Sequence, residues 1–167
     1  MITRQYCETM AQYNSWMNAK LYELCGTLPD EERKKDRQAF FRSIHSTLNH
    51  LLAVDLMMLA SFTQGARTFL PEGDVCDNFD DLRRKREDVD LEILGWARSV
   101  PADWLEEPSS YAHHGDGLTR KVTRGFWVVH LFNHQTHHRG QVTTLLTQLG
   151  LDIGSTDLHM SVPRPGE

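Results

Sequence analysis

His134 and His138 stand four residues apart in the run Asn133-His134-Gln135-Thr136-His137-His138-Arg139-Gly140-Gln141. On an α-helix that spacing places both imidazoles on one face, one turn apart, where a single metal ion can take both. Trp127, Leu131, His134, His138, Gln141, Val142, Leu145 and Leu149 recur on one stripe at helical spacing, so the two rings occupy positions that a core residue would fill. Polar rings on an apolar seam need partners, and a shared metal ion is the simplest one. Of the nine histidines, His130 also falls in this series, four before His134. At 1.5 Å rise per residue, His130 and His138 lie about 12 Å apart along the axis, too far to share one ion. A third ligand must come from another element: His45, His50, His113 or His114. By helical periodicity His45 is nearer the strongest apolar stripe of its segment and His50 lies on a second flank. The pattern leaves both open and leans to His45.

Three neutral imidazoles without a carboxylate or thiolate suit a borderline divalent ion: zinc or nickel first, iron after them. Three protein ligands leave a coordination position for water or substrate. A bound ion there lowers the pKa of water or of a substrate thiol and makes a nucleophile near neutral pH. The pair is not an HExxH motif, because Gln135 follows His134, so the usual general base of a zinc peptidase is missing. Asp55 is a candidate base only if the fold turns it toward the histidines. No residue is assigned a catalytic role. His130 and His137 suit supporting or surface positions, His113, His114 and His159 exposed ones. Tyr13 and Trp16 suit core or pocket wall, and Asn133, Arg139 and Gln141 suit ligand orientation or packing.

Four helical segments must position these groups. The first is expected over residues 3–27, with Met10, Tyr13, Met17, Leu21, Leu24 and Leu28 on one stripe. Pro29 and the charged run 30–37 separate it from a second over 38–63, lined by Phe41, Ile44, Leu48, Leu51, Leu52, Asp55, Leu59 and Phe62. Gly65 and Pro71-Glu72-Gly73 break the chain. The third is expected over 79–99, N-capped by Asn78, with Leu82, Val89, Ile93, Trp96 and Val100 on its stripe. Pro101 and Pro108 bound a connector, in which His113-His114-Gly115-Asp116-Gly117 signals a small β-hairpin. The fourth spans 124–149, with Thr123 as its cap and Gly150 just past its end. The tail 151–167, with Pro163 and Pro165, reads as irregular. Long amphipathic segments with one stripe each predict an all-α four-helix bundle, a fold that builds metal sites from inward-projecting side chains.

Composition narrows the function classes. A chain of 167 residues is long enough to bury a core as one domain over residues 1–167. A net charge of −5 argues against nucleic acid as a partner. The basic run Arg83-Arg84-Lys85-Arg86 is flanked by Asp80, Asp81, Glu87, Asp88 and Asp90, and reads as a solvated helix face. No apolar run reaches the length of a membrane span and the first residues lack a signal-peptide core, so a cytoplasmic location is expected, with no membrane partner. Cys7, Cys25 and Cys76 suggest neither a disulfide framework nor a thiolate metal site.

Two stretches carry a family resemblance: the segment Ile44 to Asp55, with His45 and His50, and the segment Val129 to Gln141, with its NHxxHHRGQ run. With Tyr13-Asn14-Ser15-Trp16-Met17-Asn18, they resemble the DinB family of the DinB/YfiT-like metalloenzyme superfamily, in the expected order over nearly the whole chain. The resemblance implies a four-helix bundle, often dimeric, whose metal is held by one histidine of the second helix and two of the fourth: here His50, His134 and His138. It also implies a metal-dependent enzyme of thiol S-transferase type, acting on a small electrophile with a low-molecular-weight thiol, in a stress response. The alternatives are a metal-dependent hydrolase and a non-catalytic metal-binding stress protein.

Overall fold

The structure is a computed structural model that describes residues 2–64, 73–112 and 115–161. Thr3 starts α1 (Arg4–Gly26), its side chain accepting from the Tyr6 amide at 3.1 Å. A short α2 (Asp30–Lys34) forms inside the charged run, with acids in its first turn and bases in its last, the polarity that the helix dipole favours. α3 is Ile44–Gln64 and α4 is Phe79–Ser99, the latter capped by Asn78 accepting from the amides of Asp80 and Asp81. A short α5 (Ala102–Glu106) precedes β1 (Pro108–Ala112) and β2 (Thr119–Thr123), an antiparallel pair in the register Pro108 opposite Thr123. α6 (Arg124–Gln148) ends in a Schellman motif: the amides of Gly150 and Leu151 reach the carbonyls of Thr147 and Leu146, with Gly150 at φ +79°.

The four long helices form the expected bundle. α1 packs on α4 and α6, and α3 packs on α4 and α6. Leu21, Ile44, Leu48, Leu52, Leu82, Ile93, Leu131 and Val142 are among the core side chains between them. No helix among the described residues is long and apolar enough to cross a membrane.

Several expectations need correction. The second long helix begins at Ile44, not near residue 38. Gln38 and Arg42 have positive φ (57° and 65°) and residues 39–42 form a tight turn instead. Phe41 misled the reading because it stands three residues before Ile44 and so extends the apolar stripe. Thr123 occupies the cap position of α6 but its side chain makes no capping bond. The connector holds α5, and the tail forms a 3-10 turn over Leu158–Ser161. The breaks proposed at Gly65 and at Pro71-Glu72, together with His113, His114, Pro163 and Pro165, lie outside the described residues.

The basic run departs most. Arg83, Arg84 and Lys85 are exposed as expected, but Arg86 is only 2% exposed. Its guanidinium pairs with Asp55 of α3 at 2.7 Å and with Asp90 of α4 at 2.8 Å. Asp90 also accepts from the amides of Asn14 and Asn18 of α1, at 3.3 and 3.0 Å. Asn14 and Asn18 accept in turn from buried Arg139 of α6, which also bonds Gln135. Every long helix contributes to this polar layer. Taking one charge out of such a layer leaves its partner buried and uncompensated, a loss of about 3–5 kcal/mol. Asp55→Ala is therefore expected to destabilise the protein by about that much in urea unfolding; a loss below about 1 kcal/mol would show that Arg86 is satisfied without Asp55.

Candidate metal centre

The same register that closes the polar layer brings three histidines together on a neighbouring face of the bundle. His134 and His138 come from α6, as their spacing requires, and His50 from α3. One ring nitrogen from each lies within 4.8 Å of the others. His50 Nε2 faces His134 Nε2 at 3.0 Å. The ring centroids of His134 and His138 are 4.4 Å apart, and those of His50 and His138 are 4.8 Å apart. Two nitrogens on a tetrahedral ion at 2.0–2.1 Å stand about 3.3 Å apart; the His50–His134 pair is already near that spacing at 3.0 Å, and sharing one ion would draw His138 in from within 4.8 Å.

The second nitrogens matter as much. His138 Nδ1 is held by Gln141 Oε1 at 2.8 Å, which orients that ring and leaves Nε2 for a ligand. His134 Nδ1 is buried without a hydrogen-bond partner among the described residues. Phe41 lies flat on His50, ring centroids 3.9 Å apart, and edge-on to His138 at 5.3 Å.

Burial keeps the cluster uncharged. It pushes the imidazole of His134 down to about 3 and that of His50 to about 4, with the neighbouring rings adding to the effect. His138 moves the same way, burial outweighing the hydrogen bond that its Nδ1 donates to Gln141. Neutral imidazoles are the form that ligates a metal.

The other candidates sit elsewhere. His45 is buried, but its Nε2 bonds the carbonyl of Cys76 at 2.9 Å, and Asn49 grips the same residue through its amide and carbonyl. The polar role of His45 is to hold the chain entering α4. His130 and His159 are exposed, as is His137, which reaches Gln141 at 3.4 Å. Asp55 is fully buried against Arg86, turned away from the role of base. Gln135, where HExxH has its glutamate, is also buried and donates to Leu51 O at 3.3 Å. Tyr13 is buried with its hydroxyl on Thr156 O at 2.7 Å, fastening the tail to α1. Trp16 is half-buried, and Asn133 is exposed. Sequence reasoning missed Phe41 as a site residue. Its only signal was its place just ahead of the helix that carries His50.

The family model for the DinB family matches residues 1–163. Protein DinB of Bacillus subtilis (strain 168) is 26% identical over 153 residues, covering 87% of each chain. A crystal structure of a DinB-like protein from Bacillus cereus ATCC 10987 superposes with a TM-score of 0.62 at 18% identity, over 84% of this chain and 90% of that one. The structural likeness bears on the fold.

The lowered imidazole values carry a stability consequence. These groups bind protons more readily in the unfolded chain, at about 6.5, than in the fold. Stability is thus fully present above that value and declines as the pH falls toward the folded values. The urea midpoint of metal-free protein is expected to drop between about pH 7 and pH 5, and to drop less in His134→Gln. Equal losses in the two proteins would assign the dependence to other groups.

Proposed function

The chain belongs to the DinB family, and from that premise we propose that His50, His134 and His138 hold one divalent ion, zinc or nickel before iron, in a metal-dependent enzyme. The observation that carries the reading is the convergence of three neutral imidazole nitrogens within 4.8 Å, with one ring already oriented by Gln141. Three ligands leave room for a small molecule at the ion, the arrangement of a catalytic rather than a closed structural site.

The reaction proposed is transfer of a low-molecular-weight thiol to a small electrophile. An ion held by His50, His134 and His138 would lower the pKa of a thiol and so supply a sulfur nucleophile near neutral pH. The thiol proton passes to solvent, the sulfur forms a bond to the electrophilic carbon, and the leaving group departs with its electron pair. This chemistry asks little of a general base. That suits a site where Asp55 is committed to Arg86 and Gln135 to Leu51 and Arg139. A hydrolase reading would need such a base. The chain's own contribution is to present the three rings neutral, to orient His138 through Gln141, and to wall the site with Phe41. The reading includes residues 1–167 acting as one domain, a homodimer, and a role in stress response in the cytoplasm.

Elemental analysis after loading and desalting tests the site. About one zinc or nickel per chain is expected in the wild type and in His45→Ala, with loss in His50→Ala, His134→Ala and His138→Ala. A wild type that takes up neither metal would sink the reading; retention in His50→Ala with loss in His45→Ala would move the third ligand to His45.

A further inference from the structure

Each imidazole that ligates a metal ordinarily has its ring fixed by a contact at its other nitrogen. His138 has that contact in Gln141. His50 does not: its hydrogen bond among the described residues is the one from Nε2 to His134, through the very nitrogen that faces the cluster. What touches the flat of the His50 ring is Phe41, with centroids 3.9 Å apart and planes 23° apart. The same phenyl ring meets His138 edge-on at 5.3 Å and a 63° angle.

The segment that delivers Phe41 is built for a fixed placement. Phe40 and Phe41 occupy the two central positions of a turn closed by Arg42 N–H donating to Ala39 O at 2.8 Å. A second bond, from Arg37 N–H to Arg42 O at 2.8 Å, closes the base of the turn. Gln38 and Arg42 flank the phenylalanines in left-handed conformations, at φ 57° and 65°. Such backbone is unfavourable for residues with a Cβ and persists only where the surroundings over-determine it. Arg37 anchors the segment to Glu32 of α2 at 2.6 Å, and Ser43 fastens its other end through the Ser46 amide at 3.0 Å. One ring of the pair is spent on this placement, while Phe40 remains 81% exposed.

We propose that Phe41 is a positioning residue for the metal centre: its ring, held by the strained 38–42 turn, stacks on His50 and fixes that imidazole in the plane required for ligation. The inference rests on the three-histidine reading above. Stacking against a flat ring restricts rotation of the imidazole about its own side-chain bonds, as Gln141 does for His138 by hydrogen bonding. It also keeps water from one face of the His50 ring, and drier surroundings strengthen the attraction between that ligand and a cation.

The test compares Phe41→Ala, Phe41→Leu and Phe41→Tyr with wild type, using zinc affinity by competition against a chromogenic chelator and the visible spectrum of the cobalt-substituted protein. Phe41→Ala and Phe41→Leu are expected to bind zinc about 10- to 100-fold more weakly, as losses of orienting contacts do. Their cobalt bands should shift, while Phe41→Tyr restores both readouts. Wild-type affinity in Phe41→Ala, or equal affinity in Phe41→Leu and Phe41→Tyr, would overturn the proposal, the latter by showing that any apolar cover suffices. Side-chain NMR of the metal-free proteins supplies a readout that needs no ion. The His50 ring protons should be shifted upfield in wild type and lose that shift in Phe41→Ala; their absence in wild type would remove the stack itself. A wild type that binds no metal at all, with the ring-current shift present, would instead bring down the three-histidine reading and the positioning role with it. Metal binding that survives Phe41→Ala unchanged would remove only the latter.

Discussion

The burial of Arg86 is the constraint around which the bundle is organised. A guanidinium inside a helix bundle is tolerable only with opposite charge held close beside it. Here Asp55 and Asp90 supply the charge, and Asn14 and Asn18 complete the coordination of Asp90. Because these partners come from three helices, and Arg139 of α6 joins through Asn14, the layer can close in only one relative register of the four. Apolar stripes alone tolerate slippage by a turn; a closed polar layer does not.

That register is what makes the histidine cluster. Gln135 and Arg139 follow His134 and His138 directly, so the α6 positions that enter the polar layer are locked in phase with those that enter the cluster. On α3, Asp55 stands five residues beyond His50, a little more than one turn, and faces the polar layer while His50 faces α6. The two layers are therefore consequences of one alignment. The buried charges supply specificity of fold, and the neighbouring imidazoles supply a place for a cation, without sharing a residue.

The electrostatics of the layers are also separated. Charges in the polar layer compensate one another, Arg86 against Asp55 and Asp90, so burial there does not demand an ion from outside. The histidine cluster has no acidic partner among the contacts that define it, and burial drives it neutral. Three neutral imidazoles converging with a single hydrogen bond between two of them is an arrangement whose lone pairs a metal ion satisfies better than water does. The hairpin and the tail are fastened to the bundle by side chains: Trp127 at the start of α6 bonds Ser109 of β1 at 3.1 Å, and Tyr13 and Lys20 hold the tail against α1.

The four long helices, the cap at Asn78, the end at Gly150 and the pairing of His134 with His138 were all legible in the residues, because each depends on spacing or on a side chain acting within a few residues of itself. The hairpin was legible for the same reason. The choice between His45 and His50 was not: both lie on apolar flanks of one helix, and periodicity cannot say which flank meets α6. Resemblance to a family pointed to His50, and the fold sets His50 beside His134 while His45 turns to Cys76. The fate of Arg86 and Asp90 was equally hidden, since a charge run on a helix looks the same whether all of it or three quarters of it is solvated. Phe41 was legible as apolar but not as a site residue, because the turn that aims it depends on two left-handed residues with side chains, which no local preference announces. Local periodicity determined which helices form and which faces are apolar; the pairing of buried charges between helices, a matter of distance across the bundle rather than along the chain, decided which of those faces meet and therefore which imidazoles converge.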